Sequence, residues 1–328
     1  RAKPMTADGR ADDDWYECPA FFPAGEEVLF GITTRAAGEA LDPPAVLIVS
    51  GGLTGTSTVG RNQMYVALAR DLAADGFPSM RFDYHGMGES TGQIDEFKLD
   101  AEGPFVDDIT GAVRFLEGQG LDRVVLVGKC FGSRMALSAT GEVSGLAGLV
   151  LMSPPVRDFG RGEKRVVKMA TEMSLTDYLR RALSLNVARG LLQARQRRVY
   201  LRAGKAKLQA MAARRRSGTR GAEGKASALY WVSPKFLEPL RAVVERRLPV
   251  LILYGDQDDF YADFLQARLG PLGVLLADAG DLVELAVVPG EVSGFVQGPV
   301  QDAINYATRD WIAKRMAGPL AASLRQPG

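Results

Sequence analysis

The segment Gly128-Lys-Cys-Phe-Gly132 constrains what this chain can fold into more than any other. It follows the short β-branched run Arg123-Val-Val-Leu-Val and opens a stretch of helical character. A strand that passes into a helix through one residue turns so sharply that side chains on either side of the apex would strike the neighbouring strand and helix. Glycine at both flanking positions removes that collision. The apex residue then stands at the end of a strand and the start of a helix, where the positive end of the helix dipole favours an anion. Cys130 occupies the apex, so its thiol is either a nucleophile or a small buried hydrophobe beside a Gly-rich strand end.

The rest of the chain repeats the strand-to-helix rhythm. Trp15 to Arg35 reads as two strands interrupted by Gly25 and Glu26, and Asp42-Pro43-Pro44 marks a loop. Ala45 to Ser50 is a continuous apolar strand, covered on both faces, that ends at Gly51-Gly52. Helical spacing follows at Tyr65, Leu68, Ala69 and Leu72, then a buried strand at Ser79 to Tyr84. A further helix is marked by Phe105, Ile109, Val113 and Phe115. Strands fit Leu146 to Met152, Pro249 to Tyr254 and Val283 to Val288, before a last helix through Val300, Ile304, Ala307 and Trp311. Alternation of this kind predicts an α/β fold with a mainly parallel sheet and helices on both faces.

Residues 156–228 break the rhythm, with dense Arg and Lys at helical spacing and no β-branched runs of strand length. Between Val156 and Lys225 there are nineteen Lys and Arg against five Asp and Glu, a net +14 that leaves the remainder at −13 in a chain of formal charge +1. The expected organisation is therefore a core of residues 1–155 and 229–328 with a basic helical cap inserted at 156–228. Such a cap is either a solvated face, its Lys and Arg stems covering apolar surface, or a landing site for anions. Few aromatics lie within it, so a stacking platform for nucleic acid is poorly supplied, and no long basic amphipathic helix with Trp or Phe anchors suggests a membrane surface. An acidic acyl-carrier protein or the phosphates of coenzyme A fit better.

Composition excludes other classes. A 46% apolar and 24% charged chain has the material for a buried sheet and is not a disordered one. It lacks an uninterrupted run of about 18 apolar residues, and Arg1 to Asp14 lacks the apolar core of a secretory signal, so a cytoplasmic protein is expected. Cys18 and Cys130 are the two cysteines, without metal-ligand spacing, and no dinucleotide-binding glycine turn is present. Neither metal nor cofactor is implied.

Two further segments accompany the cysteine turn. Gly51-Gly52-Leu53 follows the first central strand and can supply a backbone N–H, from Leu53 or its neighbour, beside that of Phe131, to hold an oxyanion. Arg81-Phe-Asp-Tyr-His-Gly-Met-Gly-Glu-Ser-Thr-Gly92 has the strand-to-loop form D-x-x-G-x-G-x-S. In this order, with Val59-Gly-Arg and Leu68-Ala-Arg-Asp-Leu-Ala between them, these segments resemble the serine-aminopeptidase-like α/β hydrolases. They are similar above all to the exosortase-associated hydrolases, which also carry cysteine at the elbow. The likeness spans residues 25 to 155 and, more loosely, 245 to 315. It implies the α/β-hydrolase fold and ester, thioester or amide chemistry, with an acid just past the strand ending at Tyr254. Asp258 is that acid, with Asp256 and Asp259 as competitors. The resemblance also implies a histidine after the last strand, and there the chain reads Val288-Pro-Gly-Glu-Val-Ser-Gly-Phe295, placing Ser293 where the base belongs. The sole histidine, His85, lies in the loop after the second central strand, either as a hydrogen-bonded loop side chain or as a displaced base.

A serine without its histidine is a poor nucleophile, whereas a cysteine ionises near pKa ~8.5, and a helix N-terminus with the adjacent Lys129 can lower that value. The sequence thus points to a covalent Cys130 acyl-enzyme acting as ester or thioester hydrolase or acyltransferase on a small acyl substrate, in secondary-metabolite or polysaccharide assembly. A non-hydrolytic lyase or condensing enzyme on an adapted pocket, and a degenerate binding protein, are the alternatives. Oligomeric state is not legible.

Overall fold

A computed structural model describes residues 15–37, 43–51, 58–93, 105–158, 231–293 and 298–316. Eight strands form one sheet: β1 (Trp15–Ala24), β2 (Glu27–Ala36), β3 (Ala45–Val49), β4 (Ser79–Phe82), β5 (Val124–Lys129), β6 (Leu146–Met152), β7 (Val250–Gly255) and β8 (Val283–Val288). Their order is β1-β2-β4-β3-β5-β6-β7-β8. The first two strands pair antiparallel, as do β2 and β4, and the remaining pairings are parallel. This is the mainly parallel sheet that the alternating sequence implies.

The central strands β3, β5, β6 and β7 read as near-continuous apolar runs because both faces are covered. Alternate residues divide between the faces. Val46, Ile48, Val125, Val127, Val150, Met152, Leu251 and Leu253 meet Leu68 and Leu72 of α1 (Met64–Ala74) and Ile304, Trp311 and Ile312 of α7 (Gly298–Met316). On the opposite face α2 (Val106–Glu117), α3 (Phe131–Ala139) and α4 (Pro234–Glu245) pack in succession, with α6 (Pro271–Ala279) against α4. Helix α5 (Asp259–Ala267) follows β7. Helices α4, α5 and α6 escaped the sequence reading. In α4 the signals were present, since Ser233 caps it by accepting from the Lys235 N–H and Pro234 opens it, with Phe236, Leu240 and Val243 on its buried side.

The chain divides into two compact units, Arg1–Val156 with Val232–Gly328, and Arg157–Trp231. The first unit is the sheet. Its chain leaves and returns at one point, because the Ser233 N–H donates to the Val156 carbonyl at 2.8 Å. The buried Arg134 of α3 fastens both ends, donating to the Pro155 carbonyl at 2.9 Å and to the Ser233 hydroxyl at 3.3 Å. Most of the expected basic cap, residues 159–228, lies outside the described residues. Among the described residues no helix is long and apolar enough to cross a membrane.

One half-buried charge cluster ties the antiparallel β1 to the sheet. Glu17 of β1 accepts from Arg81 of β4 at 2.6 Å and from Arg70 of α1 at 3.0 Å, and Arg70 also lies over the Trp15 ring at 4.8 Å. Burial alone would raise the Glu17 carboxyl, but the two guanidinium groups outweigh it and hold it below the ordinary 4.5. Stability from this cluster is therefore present above pH 4.5 and is lost as pH falls through the lower folded-state value. In Glu17→Gln the fall in melting temperature on acidification through that window should be shallower than in the wild type, as thermal melts across a pH series would show.

Candidate active site

Cys130 sits between the end of β5 and the first residue of α3, with φ 53° and ψ −114°. An L-residue rarely adopts this conformation, which costs on the order of 1–3 kcal/mol and persists only where the surroundings impose it. Here they do. The Cys130 N–H donates to the Met152 carbonyl at 2.7 Å, and its own carbonyl accepts from the Ser133 N–H at 3.1 Å. The buried Ser133 hydroxyl crosses the turn, within 2.7 Å of the Gly128 carbonyl and 3.0 Å of that of Met152. Both flanking glycines are sterically required. A Cβ on Gly128 would come within 2.6 Å of the Ser133 nitrogen, and one on Gly132 within 2.5 Å of the Ser50 oxygen at the end of β3. Cys130 forms no disulfide and is partly exposed, and Phe131 is buried at the start of the helix behind it.

Asp258, the acid that the resemblance implies, is a carboxylate that gathers backbone donors. Asp258, 3% exposed, caps the loop after β7. Its Oδ2 accepts from the Gly255 N–H at 2.9 Å, and its Oδ1 accepts from the N–H groups of Val292 and Ser293, each at 2.8 Å. Asp258 and Ser293 are therefore brought together, through the serine backbone. The Ser293 hydroxyl lies 3.5 Å from Glu291 instead. Of the competing acids, Asp256 accepts from the Gly290 N–H at 2.7 Å at an exposed position, and Asp259 is exposed in the first turn of α5.

His85 is not joined to Asp258. Its Nδ1 lies 2.9 Å from Asp108 of α2, whose carboxylate also accepts the His85 backbone N–H at 2.7 Å. Burial pushes the Asp108 carboxyl up, and the His85 contacts offset part of the rise. Asp108 was missed in the sequence, although an acidic pair, Asp107-Asp108, in the first turn of the expected helix was visible. The loop carrying His85 is organised by Asp83, whose Oδ1 accepts the Thr58 N–H at 2.7 Å and whose carbonyl accepts the Ser90 hydroxyl at 2.7 Å. Gly88 leaves room for that carboxylate, since a Cβ there would stand 2.5 Å from its Cγ. Burial raises Asp83 as well.

Gly52 and Leu53, the expected oxyanion donors after β3, lie outside the described residues, but the peptide that precedes them is well held. The Gly51 N–H donates to the Tyr65 hydroxyl at 3.1 Å, and the Tyr84 hydroxyl donates to the Ser50 carbonyl at 2.9 Å. Tyr65 is a second residue the sequence reading missed, having been counted only as a core position of α1.

A parallel sheet whose central strand delivers a strained residue through a glycine turn onto a helix N-terminus, with a buried aspartate beyond the next-but-one strand, defines an α/β-hydrolase-fold enzyme. A profile of the alpha/beta hydrolase fold family matches residues 44–269, and the chain belongs to that family. Among solved structures it is similar to an esterase of Pyrococcus furiosus, with TM-score 0.55, 14% identity and 92% of each chain covered. It is also similar to brefeldin A esterase, a bacterial homologue of human hormone sensitive lipase, with TM-score 0.54, 19% identity, and 96% of this chain and 80% of that one covered. A third is the thioesterase domain of the curacin biosynthetic pathway, with TM-score 0.50, 15% identity and coverage of 90% and 99%. A search of curated protein sequences gave no match.

Because both glycines of the turn face backbone atoms that cannot move aside, Gly132→Ala should lower stability by about 3 kcal/mol in chemical denaturation, near the top of the overpacking range.

Proposed function

We propose that the protein transfers acyl groups through a covalent Cys130 acyl-enzyme, taking a thioester as donor. The observation that carries this reading is the Cys130 turn itself, a thiol held at a strained apex against the N-terminus of α3. A thiolate at that position is stabilised by the helix terminus. In the first step its sulfur attacks the acyl carbonyl, and the resulting oxyanion is held by the Phe131 N–H and a donor from the Gly52-Leu53 segment. The carbon–sulfur bond to the donor then breaks, and the donor thiol leaves as a thiolate.

The serine at position 293 selects among substrates. With histidine absent there, the usual proton donor to a departing alkoxide is missing, so an oxyester is a poor donor. A thiolate leaving group, whose conjugate acid has a pKa of ~8.5, departs without protonation. The same absence slows attack by water, which needs a base, and favours an acceptor that ionises by itself, such as a thiol. In this reading Asp258 no longer orients a base but fastens the Val292-Ser293 backbone. His85 with Asp108 fastens the loop after β4. The esterase and thioesterase names of the similar structures support acyl chemistry in general. The charge of residues 156–228 supports an anionic donor, such as a coenzyme A thioester or one borne by an acidic carrier protein.

Incubation with a panel of acyl thioesters, followed by intact-protein mass spectrometry, should show one added acyl group in the wild type and none in Cys130→Ala. An adduct that persists in Cys130→Ala, or no adduct with any thioester, would sink the proposal. A second experiment bears on the missing base. Asp258 already reaches the residue 293 backbone, so Ser293→His should speed hydrolysis of the acyl-enzyme about 10- to 100-fold, the low end of general-base contributions. The decay of the adduct in a mass-spectrometric time course measures it, and an unchanged lifetime would show that water attack is limited elsewhere.

A further inference from the structure

We propose that Tyr65 and Tyr84 are positioning residues for oxyanion binding, clamping between them the one peptide group that joins Ser50 to Gly51. The proposal rests on the Cys130 acyl reading and deepens it. The Ser50 carbonyl and the Gly51 N–H belong to the same peptide plane. Tyr84 donates to the carbonyl at 2.9 Å and Tyr65 accepts the N–H at 3.1 Å, so the plane is gripped from both edges.

The gripped peptide lies against the nucleophile turn. A Cβ on Gly132 would stand 2.5 Å from the Ser50 oxygen, and one on Gly51 would stand 3.1 Å from the Lys129 oxygen, so this peptide is in close backbone contact with Lys129 and Gly132, on either side of Cys130. Rotating the plane would break a tyrosine bond or press an atom into the turn. It therefore fixes the end of β3 against the turn that carries Cys130 and the Phe131 N–H, the oxyanion donor of the proposed reading.

Both tyrosines are themselves fixed, and from different elements. Tyr65, on α1, packs its ring against Gly60, where a Cβ would come within 2.7 Å. Tyr84, just past β4, stacks on Phe105 at 4.0 Å and meets Phe82 edge-on at 5.4 Å. Burial pushes the Tyr65 hydroxyl up to about 12, and the Gly51 N–H opposes the rise. Burial raises Tyr84 as well, so both hydroxyls keep their protons throughout the working range. Buried tyrosines generally find a hydrogen-bond partner. What separates this pair from that general tendency is that two side chains from two elements converge on one peptide at the nucleophile.

Tyr65→Phe and Tyr84→Phe keep the packed rings and remove one grip each. Three readouts separate positioning from collapse: acylation of Cys130 by a thioester, which passes through an oxyanion; alkylation by iodoacetamide, which does not; and hydrogen exchange at the Gly51 amide. Acylation should fall about 10- to 100-fold in each variant, somewhat less than deletion of an oxyanion donor. Alkylation should stay within about twofold of wild type, and the Gly51 amide should exchange at least about tenfold faster in Tyr65→Phe. Equal loss of acylation and alkylation, or no loss of acylation in either variant, would overturn the proposal. If the wild type itself accepts no acyl group, the acyl reading fails. Gly51 exchange that still depends on Tyr65 would then mark the clamp as purely structural.

Discussion

The fold is organised around a backbone contact that tolerates no side chain: the meeting of the Cys130 turn with the end of β3. Gly132 lies so close to Val49 and Ser50, and Gly128 so close to the start of α3, that a single methyl group at either place would overlap main-chain atoms. With both flanks pressed together, the residue between them has no relaxed conformation left to it. Cys130 takes φ 53° and ψ −114°, and its strain, on the order of 1–3 kcal/mol, is offset by the Met152 and Ser133 hydrogen bonds that close the turn. The backbone conformation of Cys130 is thus a consequence of sheet and helix packing.

Around this contact the loops at the C-terminal ends of the strands are fastened by three buried carboxylates, all in the same way. Asp83 accepts from Thr58, Asp108 from His85, and Asp258 from Gly255, Val292 and Ser293. Each exchanges the hydration of a carboxylate for backbone N–H groups that would otherwise be unpaired, which is what makes burial of the charge tolerable. For Asp83 and Asp108 burial still prevails and the carboxyl is raised. Asp258 is distinguished by what it faces: of the three, it alone reaches the segment after β8.

The elements legible in the sequence were those whose signal is local. The buried strands announced themselves as β-branched runs, and the Cys130 turn as paired glycines between a strand and a helix, because both patterns answer to sterics within a few residues. Asp258 was found through resemblance, and two of its three donors come from residues more than thirty positions away. Tyr65 and Asp108 were hidden for the same reason. Tyr65 falls on the apolar stripe of α1, and nothing near it in the chain says that its hydroxyl meets Gly51, fourteen residues earlier. Asp108 looked like ordinary first-turn acidity until the loop 23 residues before it folded back. Helix α6, Pro271–Ala279, was missed because its apolar run Leu-Gly-Val-Leu-Leu has neither strand alternation nor a polar face.

Serine at the position where the resemblance implies a histidine can be understood from the same contacts. The Val292-Ser293 segment is held by Asp258 through main-chain N–H groups, so its position does not require an imidazole between the acid and the loop. In the proposed reading, serine at this position keeps these backbone contacts and removes only proton transfer. A serine nucleophile would lose most of its reactivity by that change, since its hydroxyl must give up a proton as it attacks. A thiol loses less, because its ionisation precedes attack and is assisted by the helix N-terminus that the glycine turn imposes. Under the proposed acyl chemistry, cysteine at 130 and serine at 293 are thus mutually consistent, and the pair favours donors and acceptors that can leave and attack as anions.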